Sequence, residues 1–137
     1  EINGFIGITQ LSEIAESIKL RESNYIALTS SIMQNKNCIL IQNSNLSVVS
    51  NFAFPIILKS KRKFLNAIDL FISSGIEIRP VVGGNMTRQP FYYKNCGKNK
   101  AKMDNVDIVH DQGFYIPNNA DLSQEDIAIM KNVIESI

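Results

Sequence analysis

The residues with the clearest chemical potential lie in the segment 79–92, RPVVGGNMTRQPFY. The glycine pair at 83–84 permits a positive φ, and successive backbone N–H groups in such a conformation can converge on an anion. Arg88 offers a planar guanidinium that matches phosphate or carboxylate, and Thr87 and Gln89 add neutral donors for hydroxyl groups. The segment predicts a loop that cradles an anion such as a diphosphate and contacts a sugar. A surface turn with solvated side chains is an equally open interpretation.

Other candidate chemistry is sparse. His110 is the single histidine, and with Asp107 and Asp111 it could form a metal cluster, but a structural histidine that faces the acidic C-terminal segment is the simpler hypothesis. Cys38 and Cys96 form no C-x-x-C pair, so neither a zinc site nor a disulfide framework is indicated. No residue set resembles a nucleophile with its base. We therefore expect no metal site and no catalytic residue within this chain.

The charge distribution favours an anionic partner. The 137 residues are 45% hydrophobic and 20% charged with a formal net charge of +1, which excludes a disordered chain and predicts one folded domain. Residues 51–103 carry ten basic and two acidic side chains, whereas residues 104–137 carry one basic and seven acidic ones. The basic segment favours a phosphate-bearing ligand, and the acidic segment argues against a broad nucleic-acid surface. Pairing of the two segments with each other is the alternative.

The chain shows no sign of membrane insertion or export. No apolar run approaches the roughly 20 residues that cross a bilayer, and the first residues do not resemble a signal peptide. The two unpaired cysteines agree with a reducing compartment, so we expect a cytoplasmic protein. The sequence opens within a helical pattern and without an initiating Met, so we expect it to be a piece of a longer protein.

Apolar spacing and turn residues predict the secondary structure. In chain order the predicted elements begin with one long helix from about residue 2 to 33, then strands over 38–42 and 48–58 with Pro55 at a sheet edge or bulge, and a helix over 61–74 ended by Gly75. A strand over 76–82, a mostly loop segment over 83–102, a helix over 105–112 with Asp104 as N-cap and a strand over 114–116 follow. The last helix is opened by a capping box of Ser123 and Asp126. This order predicts an α+β fold with a small, mostly antiparallel sheet flanked by helices and a long N-terminal helix.

A series of motifs follows along the chain: EINGFIGITQL at 1–11, Arg21 with Asn24, NFAFP at 51–55, GIEIRP at 75–80, GNMTRQP at 84–90, DIVHDQGFYI at 107–116 and LSQED at 122–126. In this order they resemble the C-terminal part of the DegT/StrS family of pyridoxal-phosphate-dependent sugar-nucleotide enzymes. The G-N-x-x-R-Q-P form is similar to that of 4-keto-6-deoxy-sugar 3-dehydratases, whereas plain aminotransferases more often have H-x-Q-P. Asn51 in place of the usual Trp, and Asn118-Asn119 in place of Asn-His, leave the subfamily open.

The resemblance implies a domain organisation and a set of substrate-binding residues. Residues 1–34 would form a long linking helix, and residues 38–137 the substrate-side small domain at the C-terminus of a fold-type I enzyme. By the same likeness, the residues that bind the sugar nucleotide would be Gly84, Asn85, Arg88 and Gln89, together with Arg79.

The resemblance also implies a cofactor and partners. The full-length parent would be a homodimer that uses pyridoxal phosphate or pyridoxamine phosphate to act on a sugar nucleotide, as an aminotransferase or a dehydratase, in surface polysaccharide (lipopolysaccharide) or deoxysugar biosynthesis. In this family the lysine or histidine that works with the cofactor precedes the motif at residues 1–11. We therefore expect a missing N-terminal large domain, and a piece that is inactive and binds no cofactor alone. A stand-alone, non-catalytic α+β module that binds a small anion stays open as the alternative.

Overall fold

The computed structural model describes residues 1–97 and 102–137 and confirms the predicted α+β class. Three short antiparallel strands form a sheet in the order β1-β3-β2, so β3 is central. No helix in the described ranges is long and apolar enough to cross a membrane. The elements are α1 (Ile2–Gln10), α2 (Ile14–Gln34), β1 (Ala53–Ile57), α3 (Lys61–Ser73), β2 (Arg79–Pro80), a 3-10 helix (Met86–Arg88), α4 (Pro90–Cys96), α5 (Asp104–Gln112), β3 (Gly113–Pro117) and α6 (Gln124–Ser136).

One face of the sheet is covered by helices. The register pairs Phe54 with Ile116 and Ile56 with Phe114, which places these four side chains on the same face, each at most 3% exposed. Tyr25 of α2 meets Phe54 edge-on at 5.1 Å between ring centroids. On the other side of this core, Phe71 and Phe64 of α3 contact the ring of Phe114. Burial of these aromatic side chains, together with the buried aliphatic residues around them, stabilises the fold.

The opposite face of the sheet is open. Tyr115 of β3 and Arg79 of β2 are paired across the two strands, so their side chains lie on this face. Phe52, which precedes β1, is 65% exposed and packs edge-on against the ring of Tyr115. Helices therefore cover only one face of the sheet, and the open face remains available for contacts with another protein or with a ligand.

The local signals at several element ends are confirmed. Gly75 adopts φ +74 after α3, with Gly75 N–H donated to Ile72 and Ile76 N–H donated to Phe71, which is a Schellman motif. Ser123 and Asp126 form the predicted capping box at the start of α6.

The predicted single N-terminal helix is instead broken into α1 and α2. At residues 11–13 the backbone hydrogen bonds reach the carbonyl three residues earlier rather than four, from Leu11 N–H to Ile8 and from Glu13 N–H to Gln10. The hydroxyl groups of Thr9 and Ser12 donate to carbonyls three residues earlier and compete with the helical ladder. The prediction of one continuous helix was wrong because apolar spacing does not register these side-chain bonds.

Three predicted strands are shorter than expected. The strand over 38–42 is reduced to a bridge between Cys38 and Leu58. Ile57 accepts a bond from Ile39 N–H at the outer edge of β1, and Pro55, two residues earlier, faces the same edge without an N–H to donate. Pro55 thus lies on an edge strand, as predicted, and also prevents a further strand from pairing there.

The strand over 76–82 is reduced to β2, and the strand over 48–58 begins at residue 53. At β2, Pro80 lacks an N–H and Val82 has φ +37, so the extended backbone ends there. Met103, rather than Asp104, is the N-cap of α5.

The segment 83–102 was wrongly predicted as mostly loop. It contains the 3-10 helix and α4, in which Pro90 takes the first helical position that suits proline. Residues 98–101 of this segment lie outside the described residues.

The aromatic core predicts the effect of a truncation at Phe114. Phe114→Ala would remove a 1% exposed ring that contacts both α3 and the sheet, so we expect the free energy of unfolding to fall by about 3–5 kcal/mol. The matched control is Ile72→Ala, since Ile72 is 60% exposed on α3 and its truncation should change stability by no more than about 0.5 kcal/mol. Urea denaturation of both variants measures the difference, and equal losses would contradict this account of the core.

Candidate functional site

The loop of residues 83–89 is organised around Asn85. Gly84 closes a tight turn by donating its N–H to Val81 at 2.7 Å, and its φ of +57 suits glycine. The side-chain oxygen of Asn85 then accepts bonds from the N–H of Thr87 at 2.9 Å and from its hydroxyl at 2.7 Å. These bonds cap the 3-10 helix and make Asn85 a buried residue that is 3% exposed.

Three acceptors on one face of α5 hold this loop. Asp107 Oδ1 accepts from Asn85 Nδ2 at 2.8 Å and from Arg88 Nη1 at 3.3 Å. His110 Nδ1 accepts from the Asn85 backbone N–H at 3.0 Å, and Asp111 Oδ2 accepts from Arg88 Nη1 at 2.9 Å. Residues three and four apart on a helix share a face, which is why one short helix can present all three groups. The 83–89 loop is thus attached to α5 by four side-chain hydrogen bonds.

The charges of this cluster are balanced within the protein. The hydrogen bond from Arg88 holds the pKa of Asp111 below its usual range, and the same bond raises the pKa of Arg88. One guanidinium therefore faces two carboxylates, and all three side chains are between 37% and 43% exposed. Both contacts use Nη1, and the Nε and Nη2 atoms of Arg88 donate no hydrogen bond to the residues that the structure describes. Among the described residues, no acceptor therefore occupies these two donors.

The predicted backbone cradle for an anion is contradicted by the structure. A cradle needs free, convergent N–H groups, but five of the seven in the 83–89 loop are donated within the protein. The donations run from Gly84 to Val81 O, from Asn85 to His110 Nδ1, from Thr87 to Asn85 Oδ1, from Arg88 to Asn85 O and from Gln89 to Met86 O. Gln89 Nε2 also donates to the carbonyl of Gly83 at 2.6 Å.

The structure brings together four of the five predicted substrate-binding residues. Gly84, Asn85, Arg88 and Gln89 share the 83–89 loop, and their contact with a substrate stays a prediction. Arg79 belongs to a different group. It donates from Nε and Nη2 to Glu77 at 2.8 and 2.7 Å and lines a cleft of about 170 Å³ on the open face of the sheet.

Sequence reasoning missed the partners of the loop. It treated His110 as a metal ligand or as a histidine that faces the acidic C-terminal segment, whereas His110 faces the loop and accepts the Asn85 N–H. Within residues 1–97 and 102–137, no group of three His, Cys, Asp or Glu side chains could hold a metal ion. The spacing of Asp107, His110 and Asp111 could have indicated these partners, because residues three and four apart share one helix face and this face is acidic, opposite in charge to Arg88.

Two clefts of the described residues lack the lysine that would bond to the aldehyde of a pyridoxal-type cofactor. The cleft beside Arg79 is lined by aromatic, proline and amide side chains together with Glu77. A second groove of about 270 Å³ runs along α2 from Glu22 to Met33. No lysine lines either cleft.

Sequence comparison gives a match over the whole chain. The model of the DegT/DnrJ/EryC1/StrS aminotransferase family matches residues 1–137. A search of curated protein sequences finds no significant match.

Structure comparison finds similar folds within larger proteins. The E. coli GDP-4-keto-6-deoxy-D-mannose-3-dehydratase with bound hydrated PLP superposes with a TM-score of 0.79 at 24% identity, over 94% of this chain and 33% of that chain. A mutant of GDP-4-keto-6-deoxymannose-3-dehydratase (ColD) with bound GDP-perosamine gives 0.79 and 24%, over 94% and 34%. The sugar aminotransferase CalS13 from Micromonospora echinospora gives 0.79 and 16%, over 98% and 34%. This chain spans about a third of the length of each.

The contact between Gly84 and His110 predicts a large effect of one added methyl group. A Cβ at residue 84 would overlap His110 Nδ1, whereas a Cβ at Gly75 meets nothing within 4 Å. Both glycines have positive φ, so Gly75→Ala should lose about 1–2 kcal/mol of stability from backbone strain alone. Gly84→Ala should lose clearly more and should expose the Asn85 N–H to solvent. Denaturant unfolding and amide exchange measure the two effects, and equal losses in both variants would argue against the close contact.

The ion pair of Arg88 predicts the titration of Asp111. Because the folded-state pKa of Asp111 is depressed, the stabilising contribution of this carboxylate is present at neutral pH and is lost as the pH falls through that pKa. Carboxyl-detected NMR should show Asp111 titrating below the ordinary range for aspartate. In Arg88→Met the pKa should move up, whereas in Arg62→Met, which alters an exposed residue of α3, it should not move. An unchanged pKa in Arg88→Met would show that the pair does not form in solution.

Proposed function

The chain belongs to the DegT/DnrJ/EryC1/StrS aminotransferase family, and on that premise we propose that it is the substrate-side C-terminal domain of an enzyme that modifies sugar nucleotides. The reaction would be amine transfer to a keto sugar or removal of a 3-hydroxyl group from a 4-keto-6-deoxy sugar. Such an enzyme would serve surface polysaccharide or deoxysugar biosynthesis in the cytoplasm.

The observation that carries this proposal is the family match over residues 1–137. The fold supports it, since dehydratase and aminotransferase structures contain the same arrangement of helices around a small sheet. The alternative of a stand-alone anion-binding module is not favoured, because five of the seven backbone N–H groups of the loop are already donated within the protein. A nucleic-acid surface has no further support, since the Arg88 guanidinium is paired with carboxylates.

We expect a larger domain and a second subunit to complete the enzyme. The chain spans 33–34% of the dehydratase chains to which it is similar, which supports a missing N-terminal domain. Helix α1, in residues 1–34, presents apolar side chains with little cover: Ile2, Phe5, Ile6 and Ile8 are each at least 55% exposed. Exposed apolar helix faces usually mark an interface, so this helix would pack against the large domain of the intact homodimer, with residues 38–137 as the substrate-side domain.

The cofactor would be pyridoxal phosphate or pyridoxamine phosphate in the intact enzyme, held by residues outside this chain. When bound, such a cofactor supplies an electron sink for bond cleavage next to the sugar carbonyl carbon. The residues of this chain would bind and orient the sugar. Arg88 would donate from Nε and Nη2, and Gln89 would add a side-chain carbonyl oxygen as an acceptor. Binding of remote groups in this way lowers the entropic barrier to the reaction.

The charge of the loop cluster indicates which part of the substrate Arg88 contacts. Asp107 and Asp111 more than balance the guanidinium, so the cluster has no positive charge left to attract a diphosphate. A planar donor held by carboxylates still forms strong hydrogen bonds to neutral oxygens. We therefore assign the free donors of Arg88 to hydroxyl or carbonyl oxygens of the sugar.

Binding measurements on the intact enzyme test this assignment. Arg88→Met should weaken the binding of a 4-keto-6-deoxy-sugar nucleotide by roughly tenfold or more, because a hydrogen bond from a charged group contributes about 1.5–3 kcal/mol. Its affinity for the nucleoside diphosphate alone should stay unchanged, and Arg62→Met should change neither affinity. Calorimetric titration gives both values. If Arg88→Met weakened the binding of the nucleoside diphosphate equally, Arg88 would contact the phosphates instead. An intact enzyme that binds no sugar nucleotide would contradict the proposed function.

A further inference from the structure

The inference concerns how the 83–89 loop is held in one conformation. Four side-chain hydrogen bonds connect the loop to α5, and they reach two different parts of it. His110 and Asp107 bind the backbone and the side chain of Asn85, at the start of the 3-10 helix. Asp107 and Asp111 bind the guanidinium of Arg88, at its end. A loop fixed at both ends of its single helical turn has little freedom to reorient the residues between them.

The backbone is strained at the residue that precedes the loop, and the loop itself is closely packed at Gly84. Val82, which precedes the glycine pair, has φ +37, a region that β-branched residues rarely adopt. Strained backbone persists where neighbouring contacts over-determine it. At Gly84 the closest neighbour is His110, whose ring leaves no space for a side chain at this position. Contact of the ring with Gly84 and the bond to Asn85 together place His110 at the centre of the attachment.

We propose that His110, supported by Asp107 and Asp111, is a positioning residue that holds the 83–89 loop so that Arg88 and Gln89 face the sugar. The substrate in this inference rests on the proposed function, whereas the geometry rests on the contacts alone. His110 touches no substrate in this role; it acts through Asn85. Because Nδ1 accepts the Asn85 N–H, the neutral ring must carry its proton on Nε2.

The role requires an acceptor at Nδ1, and the packing of the ring against Gly84 is a separate contribution. An asparagine side chain places its oxygen near the position of Nδ1, so His110→Asn retains an acceptor there. His110→Leu has comparable bulk and no acceptor, so it leaves the Asn85 N–H unpaired in a mostly buried place. These two variants form a matched pair that separates the hydrogen bond from simple packing.

The kinetic test uses the intact holoenzyme and a 4-keto-6-deoxy-sugar nucleotide. His110→Leu should lower kcat/KM about tenfold, mainly through a higher KM, since an unpaired buried donor costs about one such factor. His110→Asn should recover most of that loss. Equal losses in the two variants, or a loss confined to kcat, would overturn the positioning role.

A spectroscopic test separates this inference from the proposed function. Imidazole nitrogen shifts in the wild-type protein should show the Nε2–H tautomer, and the Asn85 amide should exchange slowly. Exchange at Asn85 should accelerate in His110→Leu and stay slow in His110→Asn. An Nδ1–H tautomer, or an Asn85 amide indifferent to both variants, would overturn the inference even in an active enzyme. If the wild-type enzyme binds no sugar nucleotide while these signals appear, the attachment stands and the proposed function fails.

Discussion

One carboxylate oxygen, Oδ1 of Asp107, joins the two ends of the candidate site. It accepts hydrogen bonds from Asn85 and from Arg88, which are three residues apart in the loop and 22 and 19 residues away from Asp107 along the chain. Asn85 is buried, so its amide group needs partners within the protein to offset desolvation. Arg88 needs a fixed counter-charge to point its remaining donors in one direction. A single acceptor that serves both needs couples the shape of the loop to the orientation of its cation.

The position of Asp107 depends in turn on the hydrophobic core. Helix α5 runs directly into β3, the central strand, so its placement follows the register of β3 between β1 and β2. That register is held by Phe114 and Ile116, which pack beneath α2 and α3. The core therefore acts on the site through a short covalent path, from the buried strand to the helix that precedes it. Interiors packed at crystal-like density transmit such constraints with little slack.

The sheet divides the work of the domain between two faces. The helix-covered face supplies stability, and the open face carries Arg79, Tyr115 and a shallow cleft. Structures with identities of 16% and 24% share this arrangement at a TM-score of 0.79. Such preservation at low identity is expected when a fold depends on which positions are buried rather than on particular side chains.

Residue order alone was enough for features that act over a few neighbouring positions. Gly75 at the end of α3, the Ser123 and Asp126 capping box and Pro55 on an edge strand all follow from short-range chemistry. The family motifs were found by resemblance to known sequences. The break between α1 and α2, the α4 helix and the truncated strand over 38–42 did not follow. Each depends on hydrogen bonds, or on a missing N–H, that apolar periodicity does not register.

The partners of Arg88 required the folded chain. Its charge suggested a phosphate, and the two aspartates that neutralise it lie 19 and 23 residues later in the sequence, where their spacing indicates a shared helix face but not which cation they contact. An ion pair between distant residues forms only when the core has placed their elements side by side, because the electrostatic free energy depends on separation and surroundings. For that reason the residue types of the loop indicated polar donor groups. The orientation of these groups, and which donors stay unpaired among the described residues, depend on the packing of α5 against the sheet.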